Sequence, residues 1–178
     1  GGAAIQKPEV RRALQYAVDV EAICANLLNA PCTRMTGIVN PNNAHPTLKP
    51  YPYDPEIAEY LLDQAGYPRD ANGVRFEMTL QAGEGRYLND RNVVLAICQY
   101  LDDVGVKTKC DILDWSSVYI PLIIEKKAGP MYFIGSGGAT WSPLYDMADL
   151  SAPDSGPNYT KWQNEEWFKG WKVINNTN

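Results

Sequence analysis

Histidine is almost missing from this chain: His45 is the only one in 178 residues. A Ser–His–Asp set would have to form around it, and no G-x-S-x-G elbow occurs anywhere. The four cysteines, Cys24, Cys32, Cys98 and Cys110, contain no C-x-x-C pair, so a cysteine–histidine zinc site is poorly supported. Positive charge is also short. Sixteen Lys and Arg face 21 Asp and Glu, for a net charge of −5. A nucleic-acid partner would call for a basic stripe, and there is none. No apolar run reaches bilayer length, and no signal peptide is visible. The opening Gly1-Gly2-Ala3-Ala4 reads as a cut or a tag remnant, so the missing signal says little about the parent protein. Gly83-Glu84-Gly85-Arg86 is glycine-rich but lacks a following Gly-Lys-Ser/Thr, which excludes a phosphate-cradling loop. The acidic pairs Asp111 with Asp114 and Asp102 with Asp103 read as solvated charges rather than paired catalytic carboxylates.

What is present suits one compact domain: 45% hydrophobic and 21% charged residues over a length that can bury a core. Pro8 to Val18 reads as a helix with Pro8 in its first turn and Val10, Leu14, Ala17 and Val18 on one stripe. Asp19 caps a second helix through Asn29, with Ile23, Leu27 and Leu28 inward. Ala30 to Pro52 carries five prolines, at 31, 41, 46, 50 and 52, and reads as a long irregular connection wrapped over a surface. Asp54 and Pro55 open a helix whose buried face is Ile57, Leu61 and Ala65, closed by Gly66.

Strand periodicity then takes over. Phe76, Met78 and Leu80 alternate with polar residues, as do Val106, Thr108, Cys110 and Ile112. Between them, Asp90 caps a helix through Val104 with Val93, Val94, Ile97, Cys98 and Leu101 inward. After Trp115, Ser116 or Ser117 starts another helix, with Ile120, Ile123 and Ile124 inward and Pro121 tolerable only in its first turn. Met131 to Ile134 is a short apolar run that fits a buried strand, broken by Gly135, Gly137 and Gly138. Strand, helix, strand, helix, strand predicts an α/β fold: a mostly parallel sheet with right-handed crossovers and flanking helices. Cys98 and Cys110 read as buried thiols. Cys24 and Cys32 are near enough in sequence to close a small loop in an oxidising compartment, a pairing that spacing leaves open. In the polar tail, Trp167 and Trp171 share a helix face, and the aromatics suggest docking onto the domain or onto something missing. Asn158-Tyr159-Thr160 and Asn175-Asn176-Thr177 fit a weak glycosylation pattern.

Ligands of open parallel sheets sit at the carboxyl ends of strands. There the stretch after Met131 supplies Trp141, Tyr145 and Asp146, a flat ring, a hydroxyl and a charge. By composition it is a plain strand exit with Trp141 plugging the core.

Several segments together resemble a known family. Pro8-Glu9-Val10-Arg11-Arg12-Ala13-Leu14-Gln15-Tyr16-Ala17-Val18-Asp19 resembles the R-x-A-L-x-Y-A-I-D helix of the family 5 extracellular solute-binding proteins of ABC importers, which take up oligopeptides, dipeptides or nickel. Tyr53-Asp54-Pro55-Glu56-Ile57-Ala58, Leu61-Leu62 and Ala65-Gly66-Tyr67-Pro68 match their Y-D-P-E-x-A-x-x-L-L-x-x-A-G-Y. Arg86 to Asp90, with Val104-Gly105-Val106, matches R-Y-x-N-D followed by V-G-V. Gly156 to Trp162 resembles G-x-N-Y-S-x-W. The resemblance covers nearly the whole chain and turns the 131–149 stretch into a ligand rim.

It implies a two-lobed clamp of which residues 1–178 are the second lobe, the first being absent. It implies a periplasmic or extracellular setting, with a membrane tether left open, permease subunits as partners, and neither cofactor nor catalysis. The alternative is a sensing or interaction domain of the same fold. The expected ligand-binding residues are Arg86, Ser136, Gly137, Thr140, Trp141, Tyr145 and Asp146. In peptide binders of the family an arginine near Arg86 meets the peptide carboxylate, and an aspartate of a G-W-x-G-D loop meets the ammonium. Ser136 here stands at that tryptophan and Ala139 at that aspartate. An ammonium without a paired carboxylate is costly to bury, so the expected ligand is not a plain peptide unless Asp146 swings in. Trp141 and Tyr145 instead offer ring faces to an oligosaccharide or another small organic solute. A metal ligand is not expected, with no histidine near the loop.

Overall fold

The structure is a computed structural model that describes residues 2–136 and 142–175. Helix α1 (Gly2–Ile5) leads into α2 (Pro8–Ala17), and α3 (Val20–Ile23) runs on into a π-helical turn at Cys24–Leu28. Asp19 caps α3 as expected, its carboxylate accepting from the Ala22 amide at 2.9 Å. Asp54 does the same for α4 (Pro55–Gln64), accepting from Ile57 at 2.9 Å. Both caps satisfy amides that a first helical turn leaves without partners.

Among the described residues three strands follow: β1 (Phe76–Glu84), β2 (Val106–Asp114) and β3 (Met131–Phe133). They form one sheet in the order β2-β1-β3, with both pairings parallel. Helix α5 (Asp90–Asp103) joins β1 to β2, while a π-helical turn at Trp115–Tyr119 and α6 (Ile120–Ile124) join β2 to β3. Helices α7 (Pro143–Ser151) and α8 (Glu165–Asn175) complete the chain. This is the expected α/β fold with a parallel sheet flanked by helices. Among the described residues no helix is long and apolar enough to cross a membrane.

Alternation along β1 sends Met78, Leu80 and Ala82 to one face, all buried. Met78 meets Val10, Leu14, Leu62 and Leu101 in the larger core cluster; Leu80 and Ala82 meet Val94 and Cys98 in the smaller. The opposite face is covered near the strand tip by the turn after β2. Arg75, at the entry to β1, is buried and ion-paired to Glu59 at 3.0 Å and to Asp63. It also donates to the carbonyls of Val104 and Tyr67, which ties α4 and the end of α5 to the sheet.

Several expectations change. The buried stripe of α4 is Ala58, Leu62 and Ala65, with Leu61 half-buried and Ile57 39% exposed. A one-residue offset turns a helix face by about 100°, and the two stripes interleave in sequence. Ile124 is 65% exposed because α6 is a short helix that buries one side, and only Ile123 of it is fully covered. The run at β3 is half-buried rather than buried, since β3 pairs on one side only. Cys98 and Cys110 are not free thiols but a disulfide, with Cα atoms 6.3 Å apart. Cys24 and Cys32 are bonded too, at 6.0 Å, as the short-loop reading allowed. The first bond staples α5 to β2; the second fixes the start of the long connection.

That connection, 30–52, is irregular apart from a 3₁₀ turn at Pro41–Asn43. Arg34 pins it, donating to the Gln15 carbonyl at 3.1 Å and to Val18, and pairing with Glu21 at 3.3 Å. The tail docks as the aromatics suggested. Trp167 stacks between Trp162 and Trp171, and its indole N–H donates to the Ser151 carbonyl at 3.3 Å. Asn158 is buried and donates to the Ala152 and Trp162 carbonyls, so it is no glycosylation acceptor here.

Asp90 opens α5 differently from the expected cap. Asn89 is the cap position, and Asp90 is a buried first-turn residue. Its carboxylate reaches back to accept from the amides of Arg86 and Tyr87, both at 3.0 Å, and from Arg91 at 2.8 Å. Burial pushes this carboxyl up, but the amide hydrogen bonds outweigh it and hold it below the ordinary 3.8.

Replacing Cys98 and Cys110 together by Ser lowers unfolding free energy by about 3 kcal/mol, read by thermal or denaturant melts, because a short loop is released in the unfolded chain. Asp90→Ala costs roughly 2–3 kcal/mol near neutral pH, since amides bonded to a charged acceptor lose it. A depressed carboxyl gives stability that is present above its unfolded value near 3.8 and lost as pH falls through the folded value. Melts of Asp90→Ala and the parent chain should therefore converge as the pH is taken below about 4.

Candidate functional site at the carboxyl edge of the sheet

Parallel pairing delivers the ends of all three strands to one edge. Gly83 pairs with Leu113 and Glu84 with Asp114, while Ala82 pairs with Phe133. The residues just past these ends therefore meet. Tyr87 lies edge-on to Trp115 at 5.4 Å and to Phe133 at 6.1 Å, and Trp115 tilts against Tyr119 at 5.7 Å. Tyr119 is fully buried and donates its hydroxyl to the Phe133 carbonyl at 2.6 Å. Burial pushes its phenol far above the usual range, so it stays a neutral donor.

Two glycines make the stack fit. A Cβ at Gly83 would stand 2.6 Å from the Trp115 ring and 2.7 Å from the Tyr119 ring. A Cβ at Gly135 would stand 2.9 Å from the Tyr87 ring. Both approaches are closer than a side chain permits.

Above the rings lies Arg86. Its guanidinium is 5.6 Å from the centre of Tyr87 and 6.0 Å from that of Trp115. It is exposed, and no ion pair to it occurs among the described residues. Its place is set by backbone, since Asp90 holds the Arg86 and Tyr87 amides. Leu88 (75% exposed), two residues on, leaves bare apolar surface, and so does Val118 (42% exposed) next to Tyr119. A cation over ring faces can receive an anionic group joined to a flat body.

The expected site residues divide. Arg86 and Ser136 come to this edge: Ser136 is exposed and follows Gly135, whose amide donates to the Tyr87 hydroxyl at 2.9 Å. Gly137, Thr140 and Trp141, with Ala139, lie outside the described residues. Tyr145 is exposed on α7 and borders an open hollow of about 430 Å³ with Asp149, Pro153 and Trp171. Burial, and then the charge of Asp146, push the Asp149 carboxyl up. Asp146 itself is buried and accepts from the Asn40 amide at 3.0 Å, which secures the long connection rather than offering a free carboxylate. Among the described residues no group of three metal-ligating side chains converges.

Tyr87, Trp115 and Tyr119 are not among the residues expected at the site, yet they form its floor. A signal was available: each follows the predicted end of a strand, and a parallel sheet gathers such positions on one edge.

The comparisons agree with this architecture. The family model for bacterial extracellular solute-binding proteins, family 5 Middle, matches residues 2–158. The glutathione-binding protein GsiB of Escherichia coli K12 is 36% identical over 154 residues, covering 84% of this chain and 29% of its own. This chain thus spans under a third of the length of that relative. NikZ of Campylobacter jejuni, solved with Ni(L-His), superposes with a TM-score of 0.75 at 25% identity, over 98% of this chain and 36% of that one. The periplasmic oligopeptide-binding protein of a Thermotoga maritima ABC transporter gives 0.81 at 21% identity, over 98% and 37%. The same Thermotoga protein has also been solved with mannohexaose bound, at a TM-score of 0.77, 21% identity and 98% and 36% coverage. On the match across residues 2–158 and the shared parallel-sheet fold, this chain belongs to the bacterial extracellular solute-binding proteins of family 5.

Proposed function

We propose that residues 1–178 are one lobe of a two-lobed receptor of an ABC importer, and that it captures a small organic solute for delivery to the permease without altering it. The carrying observation is the exposed Arg86 guanidinium poised over Tyr87 and Trp115 at the strand tips. An arginine so placed favours a solute with a carboxylate or similar anion, and the rings favour a flat or apolar body next to it. Peptide-like molecules, charged sugars and other small organic anions share that chemistry. The names of the relatives span this range: glutathione for GsiB, Ni(L-His) for NikZ, mannohexaose for the Thermotoga protein.

A plain peptide fits less well. Its ammonium needs a carboxylate, the resemblance puts Ala139 where peptide binders carry one, and Asp146 is engaged by Asn40. The two disulfides suit the oxidising conditions of a periplasmic or extracellular setting. The relatives favour transport over the alternative of a sensing domain.

Calorimetry on the two-lobed parent, with glutathione, a dipeptide and mannohexaose as probes, tests this reading. Arg86→Ala should weaken glutathione binding by about 10–100-fold, the worth of a charge-assisted hydrogen bond, and leave mannohexaose nearly unaffected. Tight dipeptide binding with no response to the other two would overturn the assignment of a non-peptide solute. The 178-residue lobe alone should bind all three weakly, because a solute site normally encloses most of its ligand; sub-micromolar affinity from the lobe would contradict the half-pocket.

A further inference from the structure

The geometry points to Tyr87 as a positioning residue that fixes the segment after β3 relative to Arg86, so that solute affinity depends on its hydroxyl. This rests on the solute-capture reading above.

The phenol works at three points. Its oxygen accepts the Gly135 amide at 2.9 Å, which joins the turn after β1 to the chain leaving β3 across 48 residues of sequence. Its ring lies under the Arg86 guanidinium at 5.6 Å. Its backbone amide is held by the Asp90 carboxylate at 3.0 Å. One side chain therefore registers the cation of β1's tip against the residue before Ser136. Gly135 is matched to it, since a Cβ there would stand 3.0 Å from the hydroxyl oxygen. Gly135 is exposed, so its amide has water as an alternative partner, and the fold does not need this bond for burial. What the bond supplies is registry: it holds two strand tips at one separation, and a bound solute bridging them needs that separation.

The test uses Tyr87→Phe in the two-lobed parent, which keeps the ring and removes the oxygen. Glutathione affinity should fall by about five- to tenfold, the usual worth of one hydrogen bond. Exchange of the Gly135 amide, read by fragmentation mass spectrometry, should quicken by about tenfold or more as local opening becomes easier. The melting temperature should stay within about 2 °C, because the bond is solvent-accessible. Gly135→Ala, which displaces the ring while keeping the hydroxyl, should lower the same affinity. Unchanged affinity in Tyr87→Phe, or unchanged Gly135 exchange, overturns the positioning role. A fall in affinity only in step with a large loss of melting temperature overturns it as well, since that marks a stability effect. A parent that takes up none of the probes overturns the capture reading instead, and the Tyr87 link is then decided by Gly135 exchange alone.

Discussion

The structure hangs on the parallel pairing of β1 with a strand on either side. Parallel strands cannot be joined by a tight turn, so each connection must cross back over a face of the sheet. The crossovers here are α5 on one face and the turn from Trp115 through α6 on the other. That geometry does two things at once. It covers both faces of β1, which is why Met78, Leu80 and Ala82 are buried on one side and Gly83 is packed under rings on the other. It also sends the three strand ends to a common edge, where residues far apart in sequence become neighbours.

At that edge the packing and the chemistry share the same atoms. Tyr119 and Trp115 fill the space that Gly83 leaves, and Tyr87 fills the space beside Gly135. The stack is anchored by short hydrogen bonds to backbone, and Asp90 supplies the fixed negative end of the arrangement by holding the turn that carries Arg86. The cation is left facing outward with ring faces beneath it. A guanidinium over aromatic rings keeps its charge available while its position is restricted, which is what the proposed anion contact requires.

Elsewhere the polar residues do structural work. Arg75 joins α4 to the sheet, Arg34 pins the long connection, and Asp146 secures its middle through Asn40. Asp146 shows why residue type alone misleads. A carboxylate soon after a glycine-rich strand exit looks available for a ligand, yet burial makes an unpaired carboxylate costly, and a backbone amide 106 positions away in sequence claimed it.

Much of the fold was legible in the chain itself, because it is written in local physics. Strand alternation at 76–84 and 106–114, the caps Asp19 and Asp54, and helix stripes such as Val10, Leu14 and Ala17 follow from periodicity and from amides that need partners. The motif order points to the family, and the resemblance marks Arg86 as an expected ligand contact. The tertiary structure alone decided which face of α4 is buried, since Ile57 and Leu62 are equally apolar and only the neighbour across the interface distinguishes them. It decided that Cys98 meets Cys110, because a disulfide depends on a distance between two elements and not on a spacing. It also decided that Tyr87 meets Trp115 and Phe133, and that Arg86 lies over Tyr87 and Trp115. Sequence order carries no record of which strand tips share an edge; the hydrogen-bonded register of the sheet does.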